Sequence, residues 1–200
     1  MTKYFYILII STILITSCST TRNIESEVWD EKFQLCKDLE LSESINNSFY
    51  PIPESKIDSV KNIYSLFENF LLDEKILNEI TKKGYKDLLQ KSFDKKITSK
   101  KIFEFSEFMR FDTSMIFMTF SNKGCFANTE YRYNQLSKEK KGWQYEFCVI
   151  LDKYEADGGF NKKGLEILNK SIDKIPNRKF NKEVYRRYFL DLVYAVGQQN

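Results

Sequence analysis

Between positions 57 and 71 the apolar residues fall at Ile57, Val60, Tyr64, Phe67 and Leu71. Steps of three and four place all five on one side of an α-helix, a spacing that an alternating strand cannot use. The rhythm returns at Trp29, Phe33 and Cys36, at Trp143, Phe147, Ile150 and Tyr154, at Leu165, Leu168 and Ile172, and at Val184, Tyr188, Leu192 and Val196. Each stripe has to be buried against another element, so the pattern predicts helices packed on helices. Only seven glycines and three prolines are available for turns, too few for a turn-rich β sandwich or barrel. The fold class read from the sequence is all-α, a compact bundle of about six to eight helices. The segment 102–120 is the exception. Its short apolar run Met115–Phe120 reads equally as a buried strand, so the alternative is α+β with short strands there.

The first helix is expected over 27–41, followed by a loop at 42–53 that contains two prolines. A second helix begins behind Pro53, and Asp73 caps a short successor carrying Ile76, Leu77 and Ile80. Gly84 reads as the residue just past that helix, with Lys82 and Lys83 near its carbonyl end. Asn181 reads as the N-cap of the last helix, and Gly197 as its end. No internal repeat is read.

At the N-terminus, Lys3 supplies one positive charge and Tyr4–Ile15 is almost wholly apolar. That run is shorter than the ~20 residues a membrane-spanning helix needs. A basic start, a short apolar run and a small-residue exit form a secretory signal. The exit Ile15-Thr16-Ser17-Cys18 resembles the lipobox of bacterial lipoproteins: an aliphatic residue, a hydroxyl or small residue, a small residue, then Cys. The resemblance implies cleavage before Cys18, a diacylglyceryl group on its sulfur and an acylated new N-terminus. Stable anchoring takes more than one acyl chain, which such an N-terminus carries. The expected organisation is a signal peptide at 1–17, a lipidated flexible tether at 18–26 and a single helical domain at 27–200. The expected place is the cell envelope, on the extracytoplasmic side of a membrane.

The chain has no histidine. This removes Ser-His-Asp and Cys-His catalysis and His-ligated zinc. The formal net charge is +3, which makes no electrostatic case for nucleic acid. Besides Cys18 there are Cys36, Cys125 and Cys148, at spacings unlike a zinc or redox motif. The preferred disulfide is Cys125–Cys148, which requires the chain between them to double back. The acids Asp152, Glu155 and Asp157 before Gly158-Gly159 do not follow the order of an EF-hand, so no metal and no cofactor are expected. Asp112 has two readings. It is either a buried carboxylate with a raised pKa or, the preferred form, the cap of a helix beginning at Thr113. The basic run Lys91–Lys101 and the pair Arg186-Arg187 read as solvated surface.

No catalytic residue is assigned, and the chain is read as a non-enzyme. The leading function is a membrane-anchored extracytoplasmic lipoprotein that binds another protein, with an immunity-type inhibitor of an antibacterial toxin as a specific form. Its partners are then the membrane, through lipidated Cys18, and a protein. One alternative is a carboxylate-dependent glycan hydrolase drawing on Glu104, Glu107, Asp112, Glu130 or Glu146. The other is a structural or assembly lipoprotein of the envelope.

Overall fold

The computed structural model describes residues 30–46, 52–114, 116–117, 125 and 142–200. The expected signal and the acylation site Cys18 lie outside them, as do Glu130 and most of Met115–Phe120. Helix α1 covers 30–46. A 3-10 turn at Glu54–Lys56 leads into α2 (Ile57–Lys61), α3 (Ile63–Asp73), α4 (Lys82–Phe93) and α5 (Ser99–Met109). Then come α6 (Trp143–Asp157), α7 (Lys162–Lys174), α8 (Asn177–Phe180), a second 3-10 turn at Glu183–Tyr185, and α9 (Arg187–Gln199). There is no strand among the described residues, and the fold is an all-α bundle.

The apolar spacing explains which faces go inward. In α1, Phe33, Lys37 and Leu41 recur every fourth residue and all are buried. The long stripe from Ile57 to Leu71 is divided between α2 and α3 at Asn62, whose side-chain amide donates to the Asp58 carbonyl at 3.0 Å. Helix α9 is buried on nearly every side, including Tyr188, Phe189, Leu190, Leu192, Val193 and Tyr194. A helix apolar all round belongs at the centre, and α3, α4 and α5 pack against it. Helix α7 packs on α6 and α4. The aromatic residues form the middle of the core. Phe67 lies 4.8 Å from Phe105 and 5.0 Å from Phe117, and Phe117 stacks on Tyr194 at 4.3 Å between ring centroids.

Three local readings of the sequence change. Helix α1 runs on through Ser42–Asn46, where a loop is expected. The short helix expected after Asp73 is absent, and the next helix, expected through Tyr85, Leu88, Leu89 and Phe93, is present but begins at Lys82. Gly84 is therefore the third residue of α4 and not a helix end. Thr81 is the cap, its hydroxyl accepting the Gly84 N–H at 3.1 Å. Asn181 closes α8 and does not open α9.

The start of α4 is repeated at the start of α7. Thr81-Lys82-Lys83-Gly84 and Asn161-Lys162-Lys163-Gly164 stand 80 positions apart. Asn161 Oδ1 accepts the Gly164 N–H at 3.0 Å, as Thr81 does for Gly84. Further along, Lys91-Ser92-Phe93-Asp94-Lys95 matches Lys170-Ser171-Ile172-Asp173-Lys174, and both serines are wholly buried. In the preceding helices Phe67 and Leu71 correspond to Phe147 and Leu151, all four buried. The helix starts at Lys82 and Lys162 thus share a local sequence and cap, but the pairs differ in packing: α6 packs closely on α7, whereas α4 packs on α7 and α9.

Candidate functional site

Helix α1 meets the start of α9, and several of the protein's buried charges lie there. Asp30, at the start of α1, accepts from Lys179 Nζ at 2.5 Å, Tyr185 Oη at 2.6 Å and Lys182 Nζ at 2.6 Å. Burial alone would raise its pKa, but these three donors outweigh burial and hold the carboxyl below its ordinary value. Farther along α1, Asp38 reaches Arg187, a residue 4 % exposed. The Arg187 guanidinium donates from Nη1 to Asp38 Oδ1 at 3.0 Å and from Nε to Glu183 Oε1 at 2.5 Å. It lies 5.0 Å from the centre of the Tyr64 ring, within cation–π range.

Two clefts of about 520 Å³ each flank α1 here. One opens toward α2 and is lined by Ser42, Lys61, Asn62, Glu183 and Arg187. The other runs past Leu35, Lys182 and Val184, and Gln34 and Asp38 form the ridge between the two. Leu35 and Leu39, one turn apart on α1, are 61 % and 57 % exposed. The charges lining these clefts are largely neutralised by one another, and Ser42 Oγ donates to the Asp38 carbonyl within its own helix. Paired charges beside exposed leucines are suited to holding a surface.

Near Arg187 and Lys37 lies Asp191, 1 % exposed. Its Oδ1 accepts from Tyr64 Oη at 2.9 Å, and its Oδ2 has no hydrogen-bond partner among the described residues. Burial pushes this carboxyl well above the usual range, although Lys37, Tyr64 and Arg187 pull it down; Glu40 adds to the rise. A raised acid binds its proton more tightly in the folded chain. Its stabilising effect is therefore complete below the unfolded carboxylate value and is lost as pH rises through the folded value. The Asp191→Asn variant, which mimics the neutral acid, is expected to have a higher urea midpoint than the parent at pH 8. The difference should shrink toward pH 5, and denaturation at both pH values checks it.

The expected site residues are placed as follows. Cys125 bridges to Cys36, with Cα atoms 5.6 Å apart, and not to Cys148. Sequence separation favoured the nearer cysteine, but a bridge needs Cα atoms within about 7 Å, and the fold brings Cys125 beside α1. Cys148 is a buried thiol of α6, outside the bridge. Cys36, Glu40 and Cys125 place two sulfurs and a carboxylate within 4.8 Å. In the bridged form those sulfurs are bonded to each other and are not the thiolates a metal takes. Asp112 is exposed, which overturns its reading as a buried carboxylate. Arg110, at φ 60°, ends α5, and Asp112 Oδ1 accepts the Ser114 N–H at 2.9 Å, capping a turn. The buried polar residue of this loop is Thr113, whose hydroxyl lies 2.8 Å from Tyr194 Oη. Of the acids considered for hydrolysis, Glu104 pairs with Lys101, and Glu146 pairs with Lys174 at 2.5 Å.

Arg186 and Arg187 are not surface residues. Each is 4 % exposed. The signal was present, because the stretch from Val184 to Val196 is apolar on every face, and charges embedded in a centrally buried helix have to be paired. The chain is thus an all-α protein with a cleft-flanked, charge-paired face along α1. No protein-family model matches it, and neither does any curated protein or solved structure.

Proposed function

We propose that this chain is a lipid-anchored extracytoplasmic lipoprotein whose helical domain binds another protein. The observation that supports it best is the Cys36–Cys125 disulfide, because such bonds persist in oxidising compartments outside the cytoplasm. It agrees with the lipobox at Ile15–Cys18. Among the described residues no helix is long and apolar enough to cross a membrane; in this reading the acyl chains on Cys18 do the anchoring. The clefted face of α1, with exposed Leu35 and Leu39, supports binding as the task of the domain. An immunity-type inhibitor held at the envelope to meet an incoming toxin is the specific form.

The test is the mass of the mature N-terminal peptide from the native host. A diacylglyceryl-modified Cys18 at the N-terminus is expected, and the Cys18→Ala chain should leave the membrane fraction. An unmodified Cys18 in a soluble protein would sink the reading. The bridge has its own check. Alkylation of the unfolded, unreduced chain should label Cys148 and spare Cys36 and Cys125. Reduction should lower stability by about 2–4 kcal/mol, because the bridge closes a long loop.

A further inference from the structure

At one end of the bundle, the connection between α6 and α7 displays Phe160, 47 % exposed. The loop beneath it is locked. The Gly158 N–H donates to the Tyr154 carbonyl at 2.7 Å, Asn161 Nδ2 donates to the Gly158 carbonyl at 2.7 Å, and the Asn161 N–H donates to the Gly159 carbonyl at 3.0 Å. Phe93, at the end of α4, backs the ring edge-on at 6.0 Å. An aromatic residue held this way loses little conformational freedom on contact.

The surroundings are basic. Lys95, Lys96 and Lys100 follow Phe93, and Lys162 and Lys163 follow Phe160; all five are exposed. Asp94 pairs with Lys96 and Asp157 with Lys163, both at 3.8 Å. Lys95 and Lys162 have no carboxylate within ion-pair distance among the described residues, and Lys100 faces only Glu104, which Lys101 already holds. The corresponding position before α4 is Ile80, and there Lys82 and Lys86 are both tied to Asp173.

The position of this end also matters. Helices α4 and α7 are antiparallel: Lys86 at the start of α4 meets Asp173 at the end of α7, and Phe93 meets Phe160. Asp30, at the start of α1, is held by Lys179 and Tyr185, just beyond the end of α7. The Phe160 end therefore lies about 20 Å along α7 from the start of α1, on the N-terminal side of which the expected anchor stands.

We propose that the Phe160 end of the bundle is a second docking surface, distinct from the clefted face of α1, and that its protein partner offers an acidic surface with an apolar socket for the Phe160 ring. This rests on the reading of the chain as a protein-binding lipoprotein. Charge complementarity selects the acidic partner, and the separation of this end from the start of α1 favours a protein over the membrane.

The test uses the full-length chain in envelopes of its own host. A photoreactive benzoylphenylalanine is placed at position 160, at position 103 on α5, or at position 35 on α1. The expected result is an adduct from position 160 onto one protein, mapped to an acidic peptide, with none from position 103. The K95E/K100E/K162E chain should lower its yield about tenfold, and added salt should lower it in the otherwise unchanged chain, which needs no further substitution to fold. Protein adducts from position 35 or 103 but not 160 would overturn this surface and leave protein binding standing. An adduct from position 160 onto phospholipid, or one indifferent to both charge reversal and salt, would overturn the acidic protein partner. No protein adduct from any position would overturn both readings.

Discussion

Replacing Gly164 with alanine should destabilise the fold by about 3 kcal/mol or more, and Gly84→Ala should do the same. A Cβ at position 164 would lie 2.0 Å from the Gly159 carbonyl oxygen, and one at position 84 would lie 2.0 Å from the Glu79 carbonyl oxygen. Both obstacles are backbone atoms five residues earlier, held by the turn that enters the helix, so neither can swing aside. Local propensity argues the opposite sign, because alanine inside a helix is favoured over glycine by about 1 kcal/mol. The two effects are thus separable by sign. Urea denaturation of the two single variants checks this, and a midpoint equal to or above that of the parent for either would disprove the close approach. Similar losses at both positions would show that the two helix starts are built alike.

The Arg186→Met variant is expected to lose about 3–5 kcal/mol, the cost of leaving a buried charge without its partner. Arg186 donates from Nε and Nη2 to the two oxygens of Glu68, both at 2.8 Å, and from Nη1 to the Phe180 carbonyl at 2.8 Å. Tyr85 Oη also donates to Glu68. Both charged side chains are only 5 % exposed. With arginine gone, Glu68 keeps one hydrogen bond and no counter-charge. The Glu68→Leu variant strands the arginine in the same way. The double variant Glu68→Leu/Arg186→Met removes both charges and should recover most of the loss, since apolar replacement of an entire buried pair is often neutral or better. A double-mutant cycle in urea measures the coupling. A change within about 0.5 kcal/mol for Arg186→Met would be the behaviour of a surface residue and would show that the pair does not hold α3 to the start of α9.

What the sequence determined by itself was whatever depends on near neighbours. The three-and-four spacing along Ile57–Leu71, Leu165–Ile172 and Val184–Val196 made the chain helical and chose the inward faces, because residues three or four apart meet on one side of a helix whatever lies beyond. The missing histidines removed whole classes of chemistry without any structure, and Ile15–Cys18 supplied the expectation of an anchor. Capping was legible too, but it was attached to the wrong end. Gly84 suits a helix terminus, and only the hydrogen bond from its N–H to Thr81 shows that the terminus is the start of α4.

Tertiary structure decided everything that depends on which helices meet. Spacing could not pair Cys125 with Cys36, since a bridge answers to distance in space and the nearer cysteine in sequence lies on another helix. It could not tell that Asp112 is exposed while Asp191 is buried, because either acid falls within an apolar pattern and only the packing of α1, α3 and α9 determines which one loses its water. For the same reason Arg186 and Arg187 read as surface until Glu68, Glu183 and Asp38 were brought to them from α3, the second 3-10 turn and α1. Burying a charge is costly without a partner, and here the partners come from elements that only the folded chain makes adjacent.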